Sequence, residues 1–398
     1  MAKKVLRIIN RLNIGGPTYN AAYLTKYLEP EFETLLLAGM HDESEGSSEF
    51  IVNKLGLHPT YIPNMYRSLN PIKDRKAYKQ IRDIIRDFKP DIVHTHAAKA
   101  GAVGRLAASM EEVPVILHTF HGHVFHSYFN KYKTRAFLEI ERYLAKKSTK
   151  IIAISNIQQD ELCNEFKIAP TEKFEIVPLG FDLSKFQENI KDKRKLFRQK
   201  YEIKDHEVAI GIIGRLVPIK NHTFFLNAIQ KLIGSTDQAF RVLIIGDGEE
   251  REHIERLAQS LQINYTDEHA QHHNQILTFT SWIKEVDIAM AGLDIIALTS
   301  LNEGTPVSLI EASASGKPIV TTNVGGIKDV VKSDENAYIV EKTDVDGFAH
   351  KLKILVEHKE LRDQMGLNGI EHAFSNFSHM KLVENMRTLY NKLLDERS

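Results

Sequence analysis

The stretch "LDIIALTSLNEGTPVSLIEASASGKPIV", residues 293–320, indicates in one short segment how the rest of the chain folds. Its apolar run 293–300 is typical of a parallel strand that is buried on both faces. Thr305 can act as the N-cap of a following helix, Pro306 fits its first turn, and Gly316 is a residue type that ends helices. A strand, a helix and a second strand in this order form a βαβ unit, which predicts a parallel sheet.

The same alternation of short apolar runs and helical patterns recurs along the sequence, with one interruption. A charged stretch over residues 187–207 breaks the rhythm and separates two series of predicted strands. Two such series predict an α/β protein with two doubly wound, Rossmann-like domains. The predicted strands are residues 5–10, 34–39, 91–96, 115–120, 150–155 and 174–180 before this stretch, and 208–214, 241–248, 275–281, 293–300, 318–326 and 337–341 after it.

The length of the chain also favours two domains, since 398 residues exceed what one ordinary hydrophobic core supports. We predict an N-terminal domain over residues 1–185 and a C-terminal domain over residues 186–376. Ligands of such sheets bind beyond the carboxyl ends of the strands, so we expect the functional site in a central cleft that both domains face. The tail is predicted to form a helix over about 377–398, which finishes the second domain or packs back on the first, because it has apolar residues at helical spacing: Met380, Val383, Met386, Leu389 and Leu393.

Composition argues against several classes of protein. The formal net charge is zero, so there is no global signature of nucleic-acid binding. Cys163 is the only cysteine, which predicts neither a disulfide framework nor a cysteine-based zinc site and fits a reducing cytosol. The basic start lacks the long apolar run of a signal peptide, and no apolar run reaches the roughly 18 residues of a transmembrane helix. The polar run 265–275 predicts a loop.

Two glutamates accompany the helix that follows residues 293–300. Glu303 would stand just outside the helix N-terminus, where free backbone N–H groups favour an anion, and Glu311 would lie further along the helix. A pyrophosphate at the helix start would bring a ribose and a sugar within reach of both carboxylates, which accept hydrogen bonds from hydroxyls. Taken alone, the simpler interpretation is that Glu303 favours the helix dipole and Glu311 faces solvent.

The segment "IGIIGRLVPIKNH", residues 210–222, shifts this balance toward a ligand site. A predicted strand ends at Gly214, and the cations Arg215 and Lys220 follow in the loop. Two cations at the carboxyl end of a strand suit a diphosphate, the arginine as a fork and the lysine as a point charge. A solvated loop is the alternative.

Glycine-containing loops follow two other predicted strands. Gly15 and Gly16 lie between the first strand and the first helix, where they allow a ligand close to the backbone. Neither a G-x-G-x-x-G pattern nor a Walker A sequence is present there. Gly246 and Gly248 leave room above the second sheet, although a plain tight turn explains them equally well.

A histidine-rich run, "HTFHGHVFH" over residues 118–126, follows a strand of the first series. Histidine pairs can bind zinc, but the run contains no HExxH pattern and no carboxylate. A histidine that donates a hydrogen bond to a reacting sugar is favoured over a metal ligand.

Together these segments resemble the retaining glycosyltransferases of family 4, of the bacterial surface-polysaccharide type, whose fold is GT-B. The resemblance covers almost the whole chain, and the order and spacing of the segments make the combination specific. "VPLGFD" departs from the asparagine-glycine-valine-aspartate of many relatives, near the linker. The matching segments are "NIGGPTYNAAYL", "PDIVHTHAAKAGAVGRLAA", "HTFHGHVFH", "IIAISNIQQDEL", "VPLGFDLSKF", "GRLVPIKNH", "IGDGEERE" and "SLNEGTPVSLIEASASGKPIVTTNVGGIKDVV".

The resemblance implies a role for each matching position. Glu303, the first glutamate of the E-x7-E motif, should contact the donor sugar, and Glu311, the second, should bind the ribose hydroxyls. Arg215 and Lys220 should hold the diphosphate, and Trp282 marks the segment that holds the base. The implied donor-binding residues are Gly15, Gly16, Gly214, Arg215, Lys220, Trp282, Glu303, Gly304, Thr305, Pro306, Val307 and Glu311.

The resemblance also implies which groups act at the reacting centre. His121 matches the histidine of the acceptor-side N-terminal domain that lies near this centre, and the neighbouring His123 leaves that assignment open. The implied catalytic residues are His121, Glu303, Arg215 and Lys220. No metal and no other cofactor is implied, because cationic side chains neutralise the leaving diphosphate.

The implied reaction moves a sugar, with retention, from a nucleotide-diphosphate sugar to a glycan or a lipid-diphosphate-linked acceptor. UDP is the nucleotide that the family favours. The enzyme would be cytoplasmic. Basic helical patterns at 75–89 and 131–147 fit either solvated helix faces or peripheral contact with the anionic inner face of the cytoplasmic membrane. Nucleic acid is not an expected partner. The alternatives are a nucleotide-sugar 2-epimerase on the same architecture and a noncatalytic nucleotide-sugar-binding protein.

Overall fold

The computed structural model describes residues 2–12, 16–40, 48–66, 68, 70–121, 131–270 and 275–397, with the backbone alone for residues 131–133. Two compact units are present, Met1–Phe181 with Asn376–Ser398, and Asp182–Ser375. The sequence-based division lies after residue 185. Each unit is an α/β structure around one parallel sheet, as the predicted alternation of strands and helices requires.

In the described part of the first unit, seven parallel strands form one sheet: β1 (Lys3–Ile9), β2 (Phe32–Gly39), β3 (Thr60–Ile62), β4 (Ile92–His96), β5 (Val115–Thr119), β6 (Lys150–Ala153) and β7 (Phe174–Ile176). Their order is β3-β2-β1-β4-β5-β6-β7, so the order of connection reverses between β1 and β4. Open α/β sheets bind ligands at such reversal points.

The helices of the first unit that lie between these strands cover the two faces of the sheet. Helix α3 shows why they form: the Asn70 side chain accepts two first-turn N–H groups, Pro71 is the first residue, and Ala77, Ile81 and Ile85 bury one face. These helices are α1 (Gly16–Tyr27), α2 (Glu49–Lys54), α3 (Pro71–Phe88), α4 (Ala98–Met110), α5 (Lys131–Lys147) and α6 (Asn156–Asp160), which continues as a π-helical turn over Glu161–Glu165.

Helix α4 packs closely on the first sheet because of a glycine. A Cβ at Gly101 would lie 2.4 Å from the ring of His118 on β5, so only glycine permits this approach. Arg105 on the same helix is fully buried and pairs with Glu141 of α5 at 2.7 Å. The pair compensates two charges that would otherwise be costly in the interior.

The second unit repeats the architecture with a second sheet, whose described strands are β8 (Val208–Ile213), β9 (Phe240–Ile245), β10 (Tyr265–Thr266), β11 (Leu277–Phe279), β12 (Ile295–Leu298), β13 (Ile319–Thr322) and β14 (Ala337–Val340). Their order is β10-β11-β9-β8-β12-β13-β14, again parallel throughout. The helices are α7 (Ile190–Lys200), α8 (His222–Ile233), α9 (Arg251–Ser260), α10 (Val286–Gly292), α11 (Val307–Ala314), α12 (Ile327–Val330), α13 (Val345–Glu357) and α14 (Lys359–Phe377).

Every predicted strand run overlaps an observed strand, and the fold class is confirmed. Two edge strands, β3 and β10, were not predicted. The interpretation of residues 265–275 as a loop is wrong for its first two residues, which form β10 by pairing with β11. Strands of two or three residues at a sheet edge are too short to show a hydrophobic period.

The C-terminal helix, α15 (His379–Asp395), belongs to the first unit. The hydroxyl of Ser378 caps it by accepting the N–H of Lys381 at 3.2 Å. Met380 is exposed, contrary to its place in the predicted apolar stripe, because it lies roughly a third of a turn around the helix from the centre of the buried face. The buried face, which packs on the layer formed by Val5, Ile92, Val115 and Leu117, consists of Leu382, Val383, Met386, Leu389, Tyr390 and Leu393.

No helix within the described ranges combines the length and the apolar character that crossing a bilayer requires.

Candidate functional site

The cationic loop after β8 and the acidic loop after β12 lie side by side in the second unit, because these strands are neighbours in the sheet. Their side chains form an ion pair, in which Nζ of Lys220 lies 2.5 Å from Oε1 of Glu303. The two side chains are 23% and 12% exposed, so water and salt screen the pair less than a surface ion pair. The parallel register thus joins two residues that the sequence separates widely.

Hydrogen bonds between the two loops fix this arrangement. The amide of Leu301 donates to the carbonyl of Ile219 at 2.8 Å, and the hydroxyl of Thr299 donates to the carbonyl of Lys220 at 3.1 Å. Asn221, with a left-handed φ of 51°, caps helix α8 by accepting a first-turn N–H at 3.4 Å. The fold therefore positions the lysine backbone independently of the ion pair.

Glu303 is held by a serine and by two glycines. The hydroxyl of Ser300 donates to Oε1 of Glu303 at 2.6 Å, and the amide of Gly326 donates to the Glu303 carbonyl at 2.9 Å. The loop after β13 approaches so closely that a Cβ at Gly325 or Gly326 would lie 2.0 or 1.8 Å from a backbone carbonyl oxygen, of Glu303 and Gly304 respectively. These glycines set the path of the acidic loop.

Helix α11 begins beside this ion pair, one residue later than predicted. The N-cap position falls on Pro306 and the helix starts at Val307, so the prediction of Thr305 as N-cap is wrong. A proline side chain has no oxygen to cap the helix, and among the described residues only the Pro306 carbonyl accepts a first-turn N–H, that of Leu309 at 3.0 Å. The N–H groups of Val307 and Ser308, which precede it, are in position to bind an anion. Gly316 ends the helix as predicted, with a left-handed φ of 67°.

Glu311 lies within α11 and is only partly exposed, so it does not simply face solvent. Burial raises the pKa of its carboxyl to about 7; the Lys185 ammonium opposes the rise and the Asp287 carboxylate adds to it. The group therefore titrates near neutral pH. Its neutral form can donate a hydrogen bond and its ionised form accepts them.

The second predicted cation, Arg215, follows Gly214 at the end of β8 and is exposed. Among the described residues Arg215 has no ion-pair partner, which leaves its guanidinium open to a ligand. A Cβ at Gly214 would lie 3.6 Å from Cε of Lys220, so the lysine stem lies over this glycine. Gly246, with a φ of 139°, is required because a Cβ there would lie 1.9 Å from the Gly214 carbonyl oxygen.

Trp282, the only tryptophan of the chain, lies beyond the carboxyl end of β11 and is 60% exposed. The preceding residue, Ser281, has a left-handed φ of 54°, and its hydroxyl donates to Oδ2 of Asp247 at 3.1 Å. This bond ties the loop to the one after β9. An exposed indole on an anchored loop is suited to stacking on a planar ring.

In the first unit, His121 follows β5 and is only partly exposed. Its Nε2 lies 2.9 Å from Nδ1 of His96, and burial lowers the pKa of His121 to about 3, so the ring is neutral at physiological pH. Gly16 is the first residue of α1. Gly15 of the predicted site and two histidines of the histidine-rich run, His123 and His126, lie outside the described part of the chain.

The residues gathered in the second unit have complementary chemistry. Lys220, Arg215 and the first N–H groups of α11 create a positive potential suited to a diphosphate. Glu303 and Glu311 supply oxygen atoms for hydroxyl groups. Within the ranges that the structure describes, no three His, Cys, Asp or Glu side chains are grouped to hold a metal ion.

Several supporting residues were not identified from the sequence. Ser300 contacts Glu303, and Gly325 and Gly326 fix the loop, yet each was noted only as part of a predicted strand. The signals that could have revealed them are a hydroxyl pair directly after a buried strand and a glycine pair at the end of the next one. Their roles depend on contacts between loops, which no local pattern encodes.

Comparison with known proteins places these features in a family. Two family models match, "Glycosyltransferase Family 4" over residues 14–185 and "Glycosyl transferases group 1" over residues 193–372. The chain is 30% identical over 334 residues to the UDP-Gal:alpha-D-GlcNAc-diphosphoundecaprenol alpha-1,3-galactosyltransferase of Escherichia coli, covering 83% of this chain and 82% of that one. It is 28% identical over 343 residues to the capsular polysaccharide biosynthesis glycosyltransferase CapM of Staphylococcus aureus, covering 83% and 84%.

The fold is shared with solved glycosyltransferase structures. The UDP complex of Anabaena Alr3699/HepE superposes with a TM-score of 0.79 at 17% identity, covering 98% of this chain and 100% of that one. Two Rossmann-like units with this likeness show the GT-B fold. The chain belongs to glycosyltransferase family 4. The comparisons give no support to the 2-epimerase alternative.

Proposed function

We propose that this glycosyltransferase moves a sugar from a UDP-sugar to a lipid-diphosphate-linked glycan, in the synthesis of a cell-surface polysaccharide or glycolipid. The observation that carries the proposal is the Lys220–Glu303 pair beside the N-terminus of α11. The Lys220 ammonium is suited to a phosphate, and the Glu303 carboxylate is suited to a sugar hydroxyl. The two groups lie within hydrogen-bond distance of each other.

The names of related proteins support the choice of substrates. The Escherichia coli relative is named for UDP-Gal as donor and for a GlcNAc-diphosphoundecaprenol acceptor. The Anabaena protein was solved with UDP. These substrates belong to those proteins, and the same chemical classes are what we propose for this chain.

The proposed mechanism uses fixed side chains in place of a metal ion. As the diphosphate leaves, the negative charge that develops is stabilised by Lys220, Arg215 and the N–H groups of α11. The sugar becomes oxocarbenium-like, and the acceptor hydroxyl attacks on the face that the diphosphate leaves, with retention. An oxygen of the leaving phosphate takes the proton of that hydroxyl, and His121 contacts the sugar.

The remaining donor contacts follow from the predicted roles. Glu303 binds hydroxyls of the transferred sugar, Glu311 binds the ribose, and the exposed Trp282 stacks on the base. The proposed backbone contacts to the phosphates and sugar come from Gly15, Gly16, Gly214, Gly304, Thr305, Pro306 and Val307.

Donor binding is tested by a thermal-shift panel of UDP-, GDP- and ADP-sugars. A ligand at about 100 times its Kd stabilises the folded chain by about 2.7 kcal/mol, so a true donor raises the midpoint measurably. We expect a shift with a UDP-sugar and none with matched GDP- or ADP-sugars. Equal shifts with all three nucleotides would contradict the choice of UDP.

Transfer is tested by product analysis with GlcNAc-diphosphoundecaprenol as acceptor and UDP-galactose or UDP-glucose as donor. We expect a disaccharide product whose anomeric configuration matches that of the donor, with turnover that EDTA leaves unchanged. Donor binding without acceptor-dependent turnover across an acceptor panel would favour a noncatalytic sugar-nucleotide-binding protein.

A lipid-linked acceptor requires access to a membrane surface, so we also propose peripheral contact with anionic bilayers. Helix α3 supports this, because Ile72 is exposed on a helix that carries Lys73, Arg75, Lys76 and Lys79. Co-sedimentation with anionic vesicles at low salt and its loss with neutral vesicles are expected. Equal binding to both vesicle types would contradict an electrostatic contact.

A further inference from the structure

A chain of buried hydrogen bonds runs through the first unit from the C-terminal helix to His121. Arg7 on β1 is fully buried, and its Nη1 lies 3.0 Å from Nδ1 of His94 and 3.3 Å from Nε2 of His96. Its Nη2 donates to the hydroxyl of Tyr390 on α15 at 3.2 Å. Nδ1 of His96 in turn lies 2.9 Å from Nε2 of His121. Four elements therefore contribute to one continuous polar network.

The parallel register explains why these residues meet. Arg7 is the cross-strand partner of His94, and Ile9 is the partner of His96, so the two histidines project from the same face as the arginine. That face is otherwise the apolar layer under α15. A buried guanidinium needs hydrogen-bond acceptors, and within the described residues those of Arg7 are histidine and tyrosine atoms, with no carboxylate among them.

The chemistry of arginine fixes the protons in this network. Arginine has N–H donors and no acceptor, so each histidine nitrogen that faces Arg7 must be unprotonated. For His96 this atom is Nε2, and the proton of its neutral ring is therefore on Nδ1. That Nδ1–H donates to Nε2 of His121, which leaves the proton of His121 on its own Nδ1. Arg7 thus determines which nitrogen carries the proton in His96 and, through His96, in His121.

Burial keeps the rings neutral, as this assignment requires. It is the main cause that lowers the pKa of His96 well below its ordinary value, and the neighbouring rings of His94 and His121 and the charge of Arg7 act in the same direction. The pKa of His94 is lowered well below its ordinary value for the same reasons. The other titratable groups nearby are Tyr390, on the Arg7 side, and His118, on the opposite face of β5.

Among the described residues, the last atom of the network has no hydrogen-bond partner. Nδ1 of His121 is buried and makes no hydrogen bond to any described residue. Buried N–H groups are nearly always paired in folded proteins, because an unpaired one costs stability. A buried donor left unpaired at the end of such a hydrogen-bond chain is typical of a position where a ligand supplies the acceptor.

We propose that Arg7 and His96 are positioning residues that lock His121 as a hydrogen-bond donor, through Nδ1–H, toward an oxygen atom of the carbohydrate substrate. The identity of that substrate rests on the proposed function, whereas the locked tautomer does not. A ring held in this way cannot serve as general base, because Nε2, its only nitrogen with a lone pair, already accepts the hydrogen bond from Nδ1–H of His96. The acceptor hydroxyl must then lose its proton to another group, which agrees with transfer to the leaving phosphate.

The direct test is nitrogen-15 NMR of histidine-labelled full-length chain without substrate, with His96→Asn and His121→Asn to assign signals. We expect protonated Nδ1 and unprotonated Nε2 in both rings from about pH 8 to about pH 5, where ordinary histidine becomes charged. Free histidine favours the opposite tautomer, so the two results are distinguishable. Protonated Nε2 in His121, or a charged ring at the lower pH, would overturn the proposal.

Variants of Arg7 test the transmission itself. Arg7→Met removes the donor, and we expect mixed tautomers in His121 and a fall in kcat of at least about tenfold with a smaller change in KM. Arg7→Lys keeps a buried donor and is expected to restore the single tautomer. Tyr390→Phe is the matched control, because it removes one partner of Arg7 and leaves the bond to His96.

The outcomes separate this inference from the proposed function. A single unchanged tautomer in Arg7→Met would overturn the role of Arg7, and the wild-type spectrum decides the tautomer even when that variant fails to fold. The expected spectrum together with no transfer from any UDP-sugar would contradict the proposed function and leave the tautomer assignment intact.

Discussion

Nζ of Lys220 and Oε1 of Glu303 lie 2.5 Å apart at the ends of two neighbouring parallel strands. The hydroxyl of Ser300 donates to the same carboxylate oxygen. Both hydrogen bonds that this carboxylate accepts from described side chains therefore go to Oε1, and Oε2 is left for a ligand. Lysine has three N–H donors, which allows its ammonium to contact Glu303 and a phosphate at the same time. The pair therefore links a phosphate site to a hydroxyl site.

Lys220→Ala and Glu303→Ala are each expected to lower turnover by at least about 100-fold while the chain stays folded, because each removes a charge aimed at the reacting groups. Initial rates with saturating acceptor, and circular dichroism for the fold, measure this. Lys231→Ala is the matched control: it breaks the exposed ion pair with Asp346, which contributes about 1 kcal/mol at most. Normal turnover in both site variants would refute the assignment.

Donor binding should change the fluorescence of the protein. Trp282 is its only tryptophan and is 60% exposed, so the indole signal reports on one position. Stacking on a uracil ring is expected to quench the emission in a saturable titration with a UDP-sugar. A thermal shift without any change in emission would show that the donor binds away from Trp282.

Gly326→Ala tests whether the loop after β13 sets the position of Glu303. A Cβ at this position would lie 1.8 Å from the carbonyl oxygen of Gly304, so the acidic loop must move. We expect kcat to fall at least about tenfold, since a displacement near 1 Å at a site costs about that much or more. Gly234→Ala, with open space around its Cβ, serves as control and should keep normal turnover. Equal rates in the two variants would contradict the role of the loop.

The stability of the chain should depend on pH through Glu311. Its folded pKa of about 7 lies above the ordinary 4.5, so the folded chain keeps a proton that the unfolded chain loses between these values. The wild type therefore keeps its full stability relative to Glu311→Gln below about pH 4.5 and loses stability as the pH rises. Above pH 7 its free energy of unfolding is lower by up to about 3 kcal/mol. Thermal midpoints of both proteins at about pH 5 and pH 8 measure this.

The expected result is that Glu311→Gln gains thermal stability over the wild type as the pH rises. Glu188→Gln, at an exposed position of the same unit, controls for the loss of one surface charge. A constant difference between Glu311→Gln and the wild type at both pH values would show that the Glu311 carboxyl is not protonated near neutral pH.

Local patterns in the sequence predicted most of the fold. Buried parallel strands are continuous apolar runs, so β8, β9 and β12 are visible without knowledge of their partners. The edge strand β10 was missed because two residues show no period. Met380 was placed on the buried face of α15 because it begins a run of apolar residues spaced by three, although each step of three falls short of a full helical turn and the run drifts around the helix.

The loops of the candidate site were also recognised one at a time. A glycine or a cation after an apolar run marks a strand end, which is where ligands bind in parallel sheets. The contact between Lys220 and Glu303 cannot be predicted from such local patterns. It depends on β12 lying next to β8 in the sheet, although β9 to β11 intervene in the chain.

The sequence by itself determined the alternation of strands and helices, the α/β class and the residue types at the strand ends, because these follow from periodicity and from the local preferences of Gly, Pro and Asn. Only the tertiary structure decided which side chains meet: Ser300 with Glu303, Gly326 with the acidic loop, and Arg7 with the histidines that lead to His121. The physical reason is that hydrogen bonds and ion pairs act over about 3 Å, so they depend on strand order and register, which are properties of the assembled sheet.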